Sequence, residues 1–244
     1  MEIASFDSII IVYGREVQES HVTAQEHKMK HNLYMNLNNN EHKALCEARE
    51  KTGSKSFRET ILVACNSELV KRFSYIIQTE KELRKISVNV HQIIRKFEQL
   101  DITCDSLYSV GNFLDSTIEQ ITQEVSSLHV LDFIKDDRRK GVAIRMTTEE
   151  KKALSEIKKI LLFKNYRTMI LTLCIFTSIQ VTKPDISLEY PALKSFGLVM
   201  NEAAKALNSG YGIDLKNFNT FVRDFVQILI SISEKLNGEK ENVA

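Results

Sequence analysis

The chain has 244 residues, 43% of them apolar and 27% charged, enough to bury a core as one domain or as two small ones. Two prolines and eight glycines are few for this length, which disfavours an architecture of many short strands and turns. A formal charge of +1 argues against a whole-protein attraction to nucleic acid or to a membrane surface, while leaving room for a local one.

Met1-Glu2-Ile3 opens the chain without a basic region or a long apolar run, so no signal peptide is expected. Residues 9–13 are β-branched and suit either a strand or a helix capped near Asp7 or Ser8. No other segment offers that strand a convincing partner, which favours helix. A polar helix is expected from Arg15 to about Leu37, ended by the four asparagines between Asn36 and Asn40. A short helix from Glu41 to Lys51 follows, and Gly53 suits its C-terminal stop.

Ser56 to Leu100 contains neither proline nor glycine, and Leu69, Phe73, Ile76, Leu83, Val90, Ile94 and Phe97 keep helical spacing through it. The spacing predicts one amphipathic helix about 65 Å long. Glu80 and Ser87 interrupt its apolar seam, and either fix its register against a partner or turn to solvent. A tight turn at Asp101 to Asp105 leads to a helix with Leu107, Val110, Leu114, Ile118, Ile121, Val125 and Leu128 at gaps of three and four. The two helices are expected to form a long antiparallel hairpin.

Asp136 to Met146 reads as a charged loop and as the one candidate for a minor domain boundary. Thr147 and Glu150 make a capping box for a helix that runs to about Thr182 and stops before Pro184. After a linker, Pro191 fits the first turn of a helix ending near Ser209-Gly210. A last helix steps from Leu215 to Leu236, and Glu239 to Ala244 reads as a tail. No internal repeat of fixed period is visible.

Besides Glu80 and Ser87, three stretches could carry function. His27 and His31, and His42 and Cys46, are spaced to face one way on a helix and could hold zinc; the HExxH pattern is absent, and a solvated helix surface is the plainer reading. Ten basic residues stand against three acidic ones from Arg138 to Arg167. Lys151, Lys152, Lys158 and Lys159 share one helix face there and could meet phosphates or an acidic partner. Aromatic interleaving is too thin for base stacking. Residues 168–182 carry no charge, fall short of a membrane span, and read as a central core helix or a concealed membrane-inserting one. Cys46, Cys65, Cys104 and Cys174 lack CxxC spacing and read as free thiols in a reducing interior. No nucleophile elbow or glycine-rich phosphate loop occurs.

These patterns predict an all-α protein, a single elongated bundle of five to six helices over residues 1–244 with a long coiled-coil-like antiparallel hairpin. The expected function is a non-enzymatic, cytoplasmic scaffold or adaptor that binds a protein partner or a second copy of itself. No catalytic residue and no cofactor is assigned. One alternative is a membrane-active helical protein meeting an anionic surface, similar in outline alone to α-helical pore-forming toxins. The other is a metal-dependent helical enzyme. A nucleic-acid partner is not expected.

Overall fold

The computed structural model describes residues 31–129 and 140–238. The expectations for residues 9–13, for His27 and for the tail after Gly238 lie outside them. Among the described residues are two strands, β1 (His31–Leu37) and β2 (Lys140–Met146), and eight helices. The helices are α1 (Asn39–Lys51), α2 (Phe57–Cys65), α3 (Glu68–Gln99), α4 (Asp105–Ser127), α5 (Thr148–Ile160), α6 (Tyr166–Ser178), α7 (Glu189–Asn208) and α8 (Leu215–Gly238). The protein is predominantly α-helical, as the spacing of its apolar residues implies.

Four local expectations need correction. Residues 31–37, expected at the end of a helix, form β1, and residues 140–146, expected in a loop, form β2. The Ser56–Leu100 helix breaks at Asn66-Ser67, residue types whose short polar side chains compete with the helix backbone for hydrogen bonds. Ser67 Oγ donates to the Ala64 carbonyl at 2.7 Å. The Thr147–Thr182 helix breaks between α5 and α6, where Asn165 caps a new start by accepting the Thr168 N–H at 2.8 Å.

The chain divides into two compact units. The second holds, of the described residues, 72–128 and 182–238: most of α3 with α4, α7 and α8. Helices α3 and α4 run antiparallel, and the two polar interruptions of the seam meet across them. Thr122 Oγ1 donates to Glu80 Oε1 at 3.0 Å, and Ser87 Oγ donates to Asp115 Oδ1 at 3.0 Å. In both pairs the residue numbers add to 202, so both bonds hold the same antiparallel register. Gly197 of α7 lies against α3 so closely that a Cβ there would meet Glu82 and Ile86. Phe225 of α8 stacks on Phe196 of α7 with ring centres 3.6 Å apart. Lys183 pins the segment before α7, its Nζ donating to Glu124 Oε2 at 2.8 Å.

The first unit holds, of the described residues, 31–71, 129 and 140–181, and has a repeat inside it. Each half reads strand, helix, helix: β1-α1-α2 and β2-α5-α6. Adding 109 to a residue number in the first half gives its counterpart in the second. Glu41-His42-Lys43-Ala44-Leu45-Cys46-Glu47 becomes Glu150-Lys151-Lys152-Ala153-Leu154-Ser155-Glu156, and Lys55, Arg58, Ile61, Leu62 and Cys65 become Lys164, Arg167, Ile170, Leu171 and Cys174. This overturns the expectation of no repeat.

The turn after the first helix of each half also repeats, with Gly53 at φ 66° and Leu162 at φ 60°. A leucine in this left-handed conformation is strained where glycine is not. Leu162 is 45% exposed, so only part of a leucine's burial is lost on removing it. Leu162→Gly is expected to stabilise the protein by about 1 kcal/mol, read as a higher urea midpoint.

Candidate functional site

The two halves of the first unit meet in a single antiparallel ribbon. His31 pairs with Met146 at one end and Leu37 with Lys140 at the other, and adding 109 exchanges the two ends. The ribbon therefore lies on a pseudo-twofold axis. Alternation along each strand sends one set of side chains inward. Met35, Leu37, Val142, Ile144 and Met146 are buried and Leu33 is half-buried. The opposite face carries Asn32, Tyr34 and Asn36 from β1 and Gly141, Ala143 and Arg145 from β2, all exposed. Among the described residues, the side chains of Asn32, Asn36 and Arg145 have no bonding partner. Neither strand contains an acidic residue.

A pair of crossed ion pairs locks this arrangement. The first helix of each half starts with a capping box, in which Asn38 and Glu41, or Thr147 and Glu150, satisfy each other's backbone N–H. The same carboxylates take a bidentate guanidinium from the other half. Arg167 Nε donates to Glu41 Oε2 at 3.2 Å and its Nη2 to Glu41 Oε1; Arg58 Nε donates to Glu150 Oε2 at 3.1 Å and its Nη2 to Glu150 Oε1. Both carboxylates are almost fully buried, and side-on pairing of this kind fixes orientation as well as charge.

These ion pairs also place the helix starts. Glu150 follows the Met146 end of the ribbon, so Arg58 brings the N-terminus of α2 there. Glu41 follows the Leu37 end, so Arg167 brings the N-terminus of α6 to the opposite end. One helix N-terminus, with exposed Lys55 or Lys164 just before its cap residue Ser56 or Asn165, thus stands at each end of the ribbon. At α2 the Glu59 carboxylate already accepts the Lys55 N–H at 2.6 Å; its counterpart in α6 is the uncharged Thr168.

Charge follows the same division. The described residues of the first unit carry fourteen Lys and Arg against eight Asp and Glu, a surplus of six. Those of the second carry twelve against fourteen, a deficit of two. A whole-chain value of +1 conceals this separation.

The candidate residues from the sequence fall as follows. His27 lies outside the described residues. His31 is in a strand, not on a helix, so the helical spacing that would have joined it to His27 does not hold at His31; its Nε2 lies 3.4 Å from Thr148 Oγ1. His42 and Cys46 do face each other on α1, Nδ1 to Sγ 3.6 Å, with the His42 ring edge-on to Phe57. Among the described residues no three His, Cys, Asp or Glu side chains gather as a metal site needs. Lys151, Lys152 and Lys159 are exposed on α5, while Lys158 lies over the Tyr166 ring, 4.8 Å from its centre. Cys65 and Cys174, equivalent in the repeat, are buried, and burial pushes the Cys65 thiol up to about 12 and the Cys174 thiol upward as well. They are inert core thiols.

The apolar stretch 168–182 supplies α6, whose Met169 to Cys174 are all buried in the first unit. Among the described residues no helix is long and apolar enough to cross a membrane. The sequence reading missed Asn32, Tyr34, Asn36 and Arg145. The signal that points to them is the repeated Glu-x-Lys-Ala-Leu-x-Glu, which marks 31–37 and 140–146 as equivalent segments. No family model, curated protein or solved structure matches the chain.

Proposed function

We propose that the first unit binds duplex DNA, with the β1–β2 ribbon seated in the major groove. The observation that carries this reading is the ribbon's exposed face, which is free of acidic residues and presents Asn32, Asn36 and Arg145 without a bonding partner among the described residues. A major groove is about 12 Å wide and admits a two-stranded ribbon as well as it admits a helix. The pseudo-twofold axis of the unit suits the local dyad of a duplex, whose two backbones flank the groove symmetrically. Lys55 and Lys164, beside the two helix N-termini, are then placed to meet phosphates on either side. The surplus of six positive charges favours the same partner. The expectation of no nucleic-acid partner rested on the charge of the whole chain, in which this surplus disappears, and on thin aromatic interleaving, which bears on base stacking and not on groove contact.

Fluorescence anisotropy of the full chain with a 20-base-pair duplex tests the proposal. Affinity is expected to fall steeply between 50 and 200 mM salt. Lys164→Ala is expected to weaken binding to all sequences alike and to reduce the salt slope by about one. Failure to bind any duplex at 50 mM salt would rule the proposal out.

The scaffold reading keeps one observation in its favour, on the second unit. Leu188 is 81% and Leu198 63% exposed, beside the partly exposed Val199. Apolar side chains so placed support contact with another protein chain or with a second copy. Light scattering across a range of concentrations tests self-association, and a strict monomer would count against that part of it.

A further inference from the structure

The two halves of the first unit differ where they face outward and agree where they face inward. The inward equivalents Leu33 and Val142, Met35 and Ile144, and Leu37 and Met146 are all apolar and of similar size. The outward equivalents are Asn32 and Gly141, Tyr34 and Ala143, and Asn36 and Arg145. In none of these three pairs is the chemistry kept. A symmetric scaffold thus carries an asymmetric reading face.

We infer that the ribbon reads a DNA sequence that is not its own inverted repeat. This rests on the duplex-binding reading above. Two identical strands about a twofold axis would present the same groups to both half-sites and would favour a palindrome. Here one chain supplies both strands, and the ends of the ribbon differ. Near the His31–Met146 end, Asn32 stands opposite Arg145; near the Leu37–Lys140 end, Asn36 stands opposite Gly141. A guanidinium pairs side-on with guanine O6 and N7, and a carboxamide with adenine N7 and N6. The first end therefore selects guanine beside adenine. The second selects adenine through Asn36, with no side chain across from it to demand a second base. Between them, the Ala143 methyl is suited to a thymine methyl group. Seven residues per strand span roughly 22 Å, about six base pairs.

Selection from a duplex library with a randomised core, using the full chain, tests this. The expected product is a non-palindromic core with guanine at one end only. Arg145→Ala should lose roughly tenfold to a hundredfold discrimination at that guanine, and Asn36→Ala should lose a similar factor at the opposite end alone. Combining Gly141→Asn, Ala143→Tyr and Arg145→Asn gives both strands the same outward residues, and should turn the selected core into a palindrome. A Cβ at residue 141 meets nothing closer than Asn36 Oδ1 at 3.9 Å, so the ribbon tolerates the change. A palindromic core for the unmodified chain, with binding still salt-dependent, overturns this inference and leaves the duplex-binding reading standing. So does an Arg145→Ala protein that weakens on every sequence equally. Absence of any salt-dependent binding to the pool overturns both.

Discussion

Arg167→Ala and Arg58→Ala are each expected to destabilise the first unit by about 3 kcal/mol, and by nearly the same amount as each other. The magnitude comes from what is left behind. Glu41 and Glu150 retain only 5% of their side-chain exposure, while the side chains of Arg58 and Arg167 keep 37% and 39%. Removing the arginine strands a carboxylate that has only its N-cap amide for company, and a buried unpaired charge costs several kcal/mol. The exposure of the arginine side lets water reach the gap and holds the loss at the lower end of that range. Equality of the two effects tests the pseudo-twofold itself, since the pairs are related by it. Lys43 and Glu47 give the contrast: both are more than half exposed, and their pair should be worth under 0.5 kcal/mol. Combining Glu41→Gln with Arg167→Met should recover most of the loss, because no charge is then left unpaired. Urea denaturation followed by circular dichroism reads all of these. A loss below 1 kcal/mol for either arginine would show that the crossed pairs do not hold the halves together.

Much of this fold could be read from spacing alone, and the parts that could not were hidden in two ways. The start of α4, the Thr147–Glu150 capping box and the phase of α8 all depend on residues within one or two turns of each other, whereas the run expected to reach Thr182 ends at Ser178, ahead of Gln180 at φ 53°. β1 and β2 do not. A two-residue period over seven residues is a weak signal, and the ribbon forms only because a partner 109 residues away completes it. Two asparagines and a tyrosine on one strand, and lysine, glycine and arginine on the other, hide the apolar alternation behind a face that looks like loop. The interruptions at Asn66-Ser67 and near Asn165 were masked differently. Leu69 and Phe73 continue in phase with what precedes them, and Leu161, Leu162 and Phe163 carry apolar character across the second break. The cap at Asn165 decides against a continuous helix only once the crossed ion pair has fixed where α6 begins. Glu80 and Ser87 were undecided between register and solvent until α4 supplied Thr122 and Asp115. The basic stretch of α5 was visible from composition, but the unpaired groups on the ribbon required its register. The repeat was open to view in Glu41–Glu47 and Glu150–Glu156, at a spacing far beyond the 20–50 residues of stacked repeat arrays.

Leu173→Asp should abolish cooperative folding of the first unit. Leu173 is fully buried, in a helix whose Met169 to Cys174 are buried on every side. Truncating such a leucine to alanine alone costs 2–5 kcal/mol. Aspartate adds a carboxylate with no cation beside it in α6, which must either ionise in apolar surroundings or hold its proton at neutral pH, and both cost several kcal/mol more. The sum reaches the 5–15 kcal/mol that ordinarily stabilises a whole domain. Far-ultraviolet circular dichroism and thermal melting should show the loss. Leu188→Asp, on a side chain 81% exposed, should melt as the unmodified protein does. The same pair of variants separates the remaining uses of this helix. If α6 is core, Leu173→Asp removes duplex binding along with the fold, Leu188→Asp leaves it, and none of the three proteins releases dye from anionic liposomes. If 168–182 is instead unmasked against a membrane, the unmodified protein releases dye and Leu173→Asp does not. A Leu173→Asp protein that kept both its cooperative melt and its affinity for duplex would remove α6 from the core of the first unit.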